Sequence, residues 1–113
     1  MRLETKKYLY DVLQAAKSIE RFSSGKSFID YQADALLRSA IERQFEIIGE
    51  ALRRLSKEDP VSAARVHEHQ RIIAFRNILI HGYAEVDDRL VWDILQTKLP
   101  TLLREVEALL DQG

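Results

Sequence analysis

Leu37-Arg38-Ser39-Ala40-Ile41-Glu42-Arg43-Gln44-Phe45-Glu46-Ile47-Ile48-Gly49-Glu50-Ala51-Leu52-Arg53-Arg54-Leu55 decides the fold. Ile41, Ile48, Leu52 and Leu55 form one stripe at helical spacing, and Leu37, Ala40, Phe45 and Ile47 widen it. An apolar face this broad needs more than one neighbouring helix to cover it. Upstream, Ser27 stands three residues before Asp30, a capping-box-like start. No breaker follows until Asp59-Pro60, so the spacing predicts one long helix between those signals. Gly49 interrupts the pattern and costs about 1 kcal/mol relative to alanine in a helix interior. A residue without a side chain there suits a close helix crossing better than chemistry.

Working outward, Leu9, Val12, Leu13, Ala16 and Ile19 define a first amphipathic helix from near Leu3 to Phe22. Gly25 can close it in the left-handed conformation of a C-terminal cap. Pro60 to about His69 is a connection with room for one short turn. Ile72, Phe75 and Leu79, flanked by Ile73 and Ile78, predict a third helix that stops at His81-Gly82. Asp87 or Asp88 can cap a fourth, carrying Val91, Leu95, Leu99, Leu102, Val106 and Leu109. Pro100 removes a hydrogen bond and disfavours helical geometry at Leu99, which predicts a kink or break there. The expected architecture is an all-α antiparallel bundle of four to five helices, a single domain over residues 1–113.

Composition agrees. Among 113 residues, 46% are hydrophobic and 31% charged, with only four glycines and two prolines, which disfavours disorder and turn-rich β architectures. The absence of cysteine removes disulfides, thiol catalysis and cysteine-bound metals. No apolar run approaches membrane-spanning length, and Met1-Arg2-Leu3-Glu4-Thr5-Lys6-Lys7 does not resemble a signal peptide, so a soluble cytoplasmic protein is expected. Seventeen basic residues against eighteen acidic ones give a net charge of −1. The distribution is uneven. Val61 to Ala84 holds Arg65, Arg71, Arg76 and all three histidines against Glu68, whereas seven acids follow from Glu85 onward. This pattern fits an anion site beside a surface for a basic partner, and equally fits ordinary solvated helix faces.

Several polar groups invite a chemical reading. Glu42, Glu46 and Glu50 share a helix face, as di-metal carboxylate bundles require, but no histidine lies three residues after a glutamate. Structural ion pairs are the simpler account: Glu50 can reach Arg53 or Arg54, and Arg43 can pair within the helix or across the bundle. His67 and His69 would point about 200° apart on a helix and read as exposed polar residues. No metal or cofactor is expected.

Phe75-Arg76-Asn77-Ile78-Leu79-Ile80-His81-Gly82-Tyr83 is the informative stretch. Arginine's fork suits phosphate oxygens, and histidine exchanges protons near neutral pH. Asn77 and His81, four residues apart, lie on one helical face, with Arg76 about 100° round towards its edge. Phosphodiester cleavage by transesterification is helped by both a base and an acid, whereas one such helix offers a single histidine. A nuclease built on this segment therefore needs a twofold dimer with its cleft at the interface. The purely structural reading pairs Arg76 with an acid of the last helix and leaves His81 capping carbonyls.

Arg76, His81 and Tyr83 resemble the R-x4-H-x-Y motif of the HepT-like toxins, a branch of the HEPN superfamily. Gly25-Lys26-Ser27-Phe28, Ile47-Ile48-Gly49-Glu50-Ala51, Val91-Trp92 and Leu99-Pro100 resemble that family's pattern in order and spacing, over practically the whole chain. The resemblance implies a HEPN-type helical homodimer, the metal-independent endoribonuclease toxin of a type VII-like toxin–antitoxin system. It implies Arg76 and His81 as the catalytic pair acting on RNA, with Asn77 in support. It further implies that a minimal nucleotidyltransferase antitoxin of MntA type silences the toxin by adenylylating Tyr83. The competing expectation is a non-catalytic helical dimer that binds a nucleotide or a nucleotidyltransferase partner.

Overall fold

The computed structural model describes residues 1–82 and 86–112. Seven helical segments and no strand occur among the described residues: α1 (Leu3–Ser23), α2 (Phe28–Ala33), α3 (Ala35–Glu58), α4 (Pro60–Ala63), α5 (His69–His81), α6 (Asp88–Thr97) and α7 (Leu99–Gln112). The bundle proper is α1, α3, α5 and the α6–α7 pair, while α2 and α4 are short connectors. No helix among the described residues is long and apolar enough to cross a membrane.

Local chemistry sets most boundaries. Gly25 takes φ +74°, the left-handed conformation that turns the chain after α1. Ser27 and Asp30 form the reciprocal capping box that starts α2. The long helix expected between Ser27 and Asp59 is instead divided at Asp34. There the backbone is extended (φ −117°, ψ 100°), and the carboxylate accepts from the backbone N–H groups of Leu36 and Leu37. Asp34 therefore ends α2 and caps α3 at once. Asp87 caps α6 by accepting from the N–H of Arg89.

The break expected at Leu99 falls one residue earlier, at Lys98, and Leu99 itself is helical. The reason is that Pro100 occupies the first turn of α7, where its missing N–H is no loss and its fixed φ is already helical. The proline starts a helix here and does not distort one.

Helix α3 lies at the centre, packed against α1 on one side and α5 on another, and α7 closes over α1. The two long helices run antiparallel. The buried Thr5 hydroxyl at the start of α1 donates to Asp59 at the end of α3 over 2.7 Å, and Arg2 reaches the carbonyl of Glu58. Ile41, Ile48, Leu52 and Leu55 of α3 are fully buried with Leu9, Val12 and Ile19 of α1. Phe45 meets Phe75 of α5 edge to face at 5.2 Å between ring centroids, and Tyr31 of α2 packs on Trp92 of α6 at 5.4 Å.

At Gly49 the stem of Arg76 on α5 packs directly against α3. A Cβ placed there would stand 2.2 Å from the Cβ and 2.6 Å from the Cγ of Arg76. The Cβ is fixed by the backbone, so no rotamer change relieves that overlap. Gly49→Ala gains up to about 1 kcal/mol of helix propensity. It also forces two packed helices apart, and overpacking typically costs about 1–3 kcal/mol. The variant is expected to melt below the parent protein in a calorimetric scan. A melting temperature equal to or above the parent's contradicts this crossing.

Candidate active site

Helix α5 is apolar on nearly every side. Ile72, Phe75 and Leu79 fill the core, Ile73 and Ile80 are half-buried, and Ala74 and Ile78 are exposed, Ile78 by 49%. Beyond the first turn, which carries His69, Gln70 and Arg71, its polar residues are Arg76, Asn77 and His81 in the last two turns, and the helix stops when Gly82 donates its N–H to the carbonyl of Ile78 at 2.8 Å.

Arg76 is the most constrained of them. Its stem lies across Gly49, which leaves the side chain 20% exposed. One terminal nitrogen, Nη2, contacts Glu50 Oε2 at 2.9 Å, and the other, Nη1, donates to Asn77 Oδ1 at 2.9 Å. The Nε–H is buried with no partner among the described residues. Each terminal nitrogen keeps a second N–H, so the fork can still address an anion. An ion pair with the last helix, the structural alternative from sequence, is therefore replaced by one with α3. The acid comes from the row whose role spacing alone left open.

Glu50 gathers more than Arg76. Arg53 grips both of its oxygens, through Nε at 3.1 Å and Nη2 at 2.9 Å, and Arg54 Nε adds a bond of 2.9 Å. Hydrogen bonds from Arg53 and then Arg54 hold the Glu50 carboxyl far below the usual carboxylate range, at about 2. Glu46 pairs with Arg43 at 3.3 Å. Glu42 goes the other way: burial first, then the nearby Asp88 and Glu46, push its carboxyl up. The three glutamates thus sit in three different environments. No group of three or more metal-ligating side chains forms among the described residues.

His81 is the exposed last residue of α5. Within the protomer the structure unites Arg76 with Asn77 and does not bond His81 to either of them. Asn77, expected on one face with His81, turns its carbonyl oxygen to Arg76 instead. Tyr83, the fourth residue of the sequence-derived site, lies outside the described residues. His67 and His69 belong to a structural corner. Glu68, in left-handed backbone at φ 58°, holds Lys98 at 2.6 Å and Arg71 at 3.4 Å, with His67 at 3.9 Å.

A groove of about 250 Å³ opens beside Arg76 between α1, α3 and α5, bordered by Lys7, Tyr8, Arg43, Arg54 and Ile80. Sequence reasoning did not foresee it, because its walls come from three helices distant in the chain. The signal that was available is Gly49-Glu50, a residue that lets a helix approach followed by one that can hold what arrives.

An all-helical bundle presenting arginine, amide and imidazole at one helix end carries groups that can hold a phosphate and exchange a proton. Comparison with known proteins narrows this. The model of the family described as Ribonuclease HepT-like matches residues 12–109. A protein named Probable ribonuclease HepT from Thermococcus cleftensis is 34% identical over 112 residues, covering 96% of this chain and 98% of that protein. One named Putative RNase MJ1380 from Methanocaldococcus jannaschii is 32% identical over 104 residues, covering 92% and 94%. Another, Putative RNase TTE0752 from Caldanaerobacter subterraneus, is 33% identical over 105 residues, covering 93% of each. No solved structure matches the chain. The chain belongs to the HepT-like ribonuclease family.

Proposed function

We propose that this chain is a metal-independent endoribonuclease acting as the toxin of a cytoplasmic toxin–antitoxin pair, with its site completed by a second copy of the chain. The observation that carries the reading is Arg76. Its guanidinium is fixed at a glycine-permitted crossing, paired on both terminal nitrogens, and set five residues before an exposed histidine.

The chemistry follows from these groups. Neutral His81 withdraws the proton of a ribose 2′-hydroxyl, and that oxygen attacks the adjacent phosphorus. Negative charge develops on the non-bridging oxygens, where a preorganised guanidinium is most effective. A protonated imidazole then delivers its proton to the departing 5′-oxygen. The products are a 2′,3′-cyclic phosphate and a 5′-hydroxyl. One His81 serves as base and the twofold-related His81 as acid.

The surface of α5 supports the dimer. Ala74 and Ile78 leave an apolar patch of α5 exposed among the described residues, Ile78 by 49%, and such a patch calls for cover. A second α5 packed on this face covers them and brings a second His81 to the same end. Tyr83 follows His81 by two residues. Its adenylylation by a minimal nucleotidyltransferase antitoxin of MntA type would place a bulky phosphate-bearing group over the histidine and the Arg76 charge, shutting out RNA by size and sign.

Three experiments test this reading. Purified protein incubated with total RNA in EDTA should produce fragments ending in cyclic phosphate. Arg76→Ala should slow cleavage by about 10²–10³-fold and His81→Ala by about 10²–10⁴-fold; intact RNA with wild-type protein sinks the enzyme. Ile78→Asp, at an exposed position, should keep the helical spectrum, halve the mass seen by light scattering and lower cleavage by roughly 10²-fold. A fully active monomer refutes the shared site. Tyr83→Phe should gain no adenylyl mass when mixed with its antitoxin and ATP and should stay toxic. A modified phenylalanine variant would show that the acceptor is elsewhere.

A further inference from the structure

Glu50 is not among the residues the motif nominates, yet its carboxylate gathers three arginines, Arg53, Arg54 and Arg76. Four nitrogen contacts divide evenly over its two oxygens. Oε1 receives Arg53 Nη2 and Arg54 Nε, and Oε2 receives Arg53 Nε and approaches Arg76 Nη2, all within 2.9–3.1 Å. A carboxylate offers about four lone-pair sites, so this one is filled and has no alternative pose to adopt. We infer that Glu50 is the positioning residue of the ribonuclease site, anchored by Arg53 and Arg54 so that it holds Arg76 at the height of the scissile phosphate. The inference rests on the ribonuclease reading above.

Two observations separate this role from an ordinary surface ion pair. The first is charge. Three guanidinium groups and one carboxylate leave a net charge of +2 on the cluster, so Glu50 gathers cations that would repel one another without cancelling the attraction for a phosphate. The second is constraint. Arg76 is pinned at its root by Gly49 and has a buried Nε–H without a partner, so the direction of its fork is set by Glu50 on one nitrogen and Asn77 on the other. Asn77 is exposed and adjacent in the chain, whereas Glu50 comes from the central helix and is itself immobilised. Remove its charge and Arg76 keeps its place but loses its aim.

Glu50→Gln tests the inference, because it preserves size while removing the charge. With RNA as substrate, kcat should fall by about tenfold or more, as for the loss of a well-aimed transition-state donor. KM should hold or decrease, because the cluster rises from +2 to +3. A merely structural ion pair would shift the melting temperature without separating kcat from KM. Side-chain ¹⁵N NMR gives a readout that needs no cleavage. The Nε–Hε signal of Arg76, assigned by its loss in Arg76→Ala, should be ordered in the parent protein and mobile in Glu50→Gln. If Glu50→Gln unfolds, Glu50→Asp carries the same measurements, with the charge kept and the reach shortened, and intermediate order is expected. Unchanged kcat or an equally ordered Arg76 signal in a folded variant overturns the inference. If the parent protein does not cleave RNA, the ribonuclease reading fails, and the NMR comparison still decides whether Glu50 positions Arg76.

Discussion

The missing side chain at Gly49 is the constraint on which the rest of this molecule depends. An α-helix normally keeps its neighbour 8–10 Å away because side chains fill the interval. At Gly49 that interval is taken by the stem of Arg76 instead. A charged residue thereby enters a helix interface with its aliphatic carbons packed and its guanidinium at the edge. Burying an arginine head without a counter-charge is expensive. The next residue on α3, Glu50, supplies that charge, with Arg53 and Arg54 satisfying the rest of the carboxylate. One vacancy in the core thus determines where the cation stands, and one neighbour determines which way it points.

Much of this was legible in the sequence because it is local. The stripe on α3, the capping box at Ser27 and Asp30, the turn at Gly25 and the stop at Gly82 each depend on residues within a turn of one another. Gly49 was legible as a crossing because glycine in an otherwise strong helix needs a reason. Asp34 was not, since it lies between two alanines in a run that reads as helix, and its capping role appears only once its carboxylate is seen to take two backbone N–H groups. Pro100 was legible as a break but its place was not: the proline occupies the first turn of the following helix, so the break falls at Lys98 and Leu99 is helical.

The candidate site divides along the same line. Arg76, Asn77 and His81 are neighbours on one helix, so their spacing exposes them. Glu50 is twenty-six positions from Arg76, and nothing in its local pattern distinguishes a partner of Arg53 and Arg54 from a partner of all three arginines. Long-range ion pairs carry no sequence period. Only the crossing geometry selects Glu50 over Glu46, which faces Arg43, and over Glu42, which sits in the acidic surroundings of Asp88.

Helical geometry also bears on how Arg76 and His81 stand relative to one another. Residues five apart on an α-helix are separated by about 140° of rotation and about 7.5 Å of rise. With Arg76 turned towards α3, His81 is displaced round the helix to an exposed position. A helix of the same sequence approaching from the exposed side meets His81 and Ile78 together, so the apolar contact that would attract it and the imidazole it would complement occupy the same face. In a dimer of that kind, assembly and proton transfer would draw on a single surface, so that a change to either would alter the other.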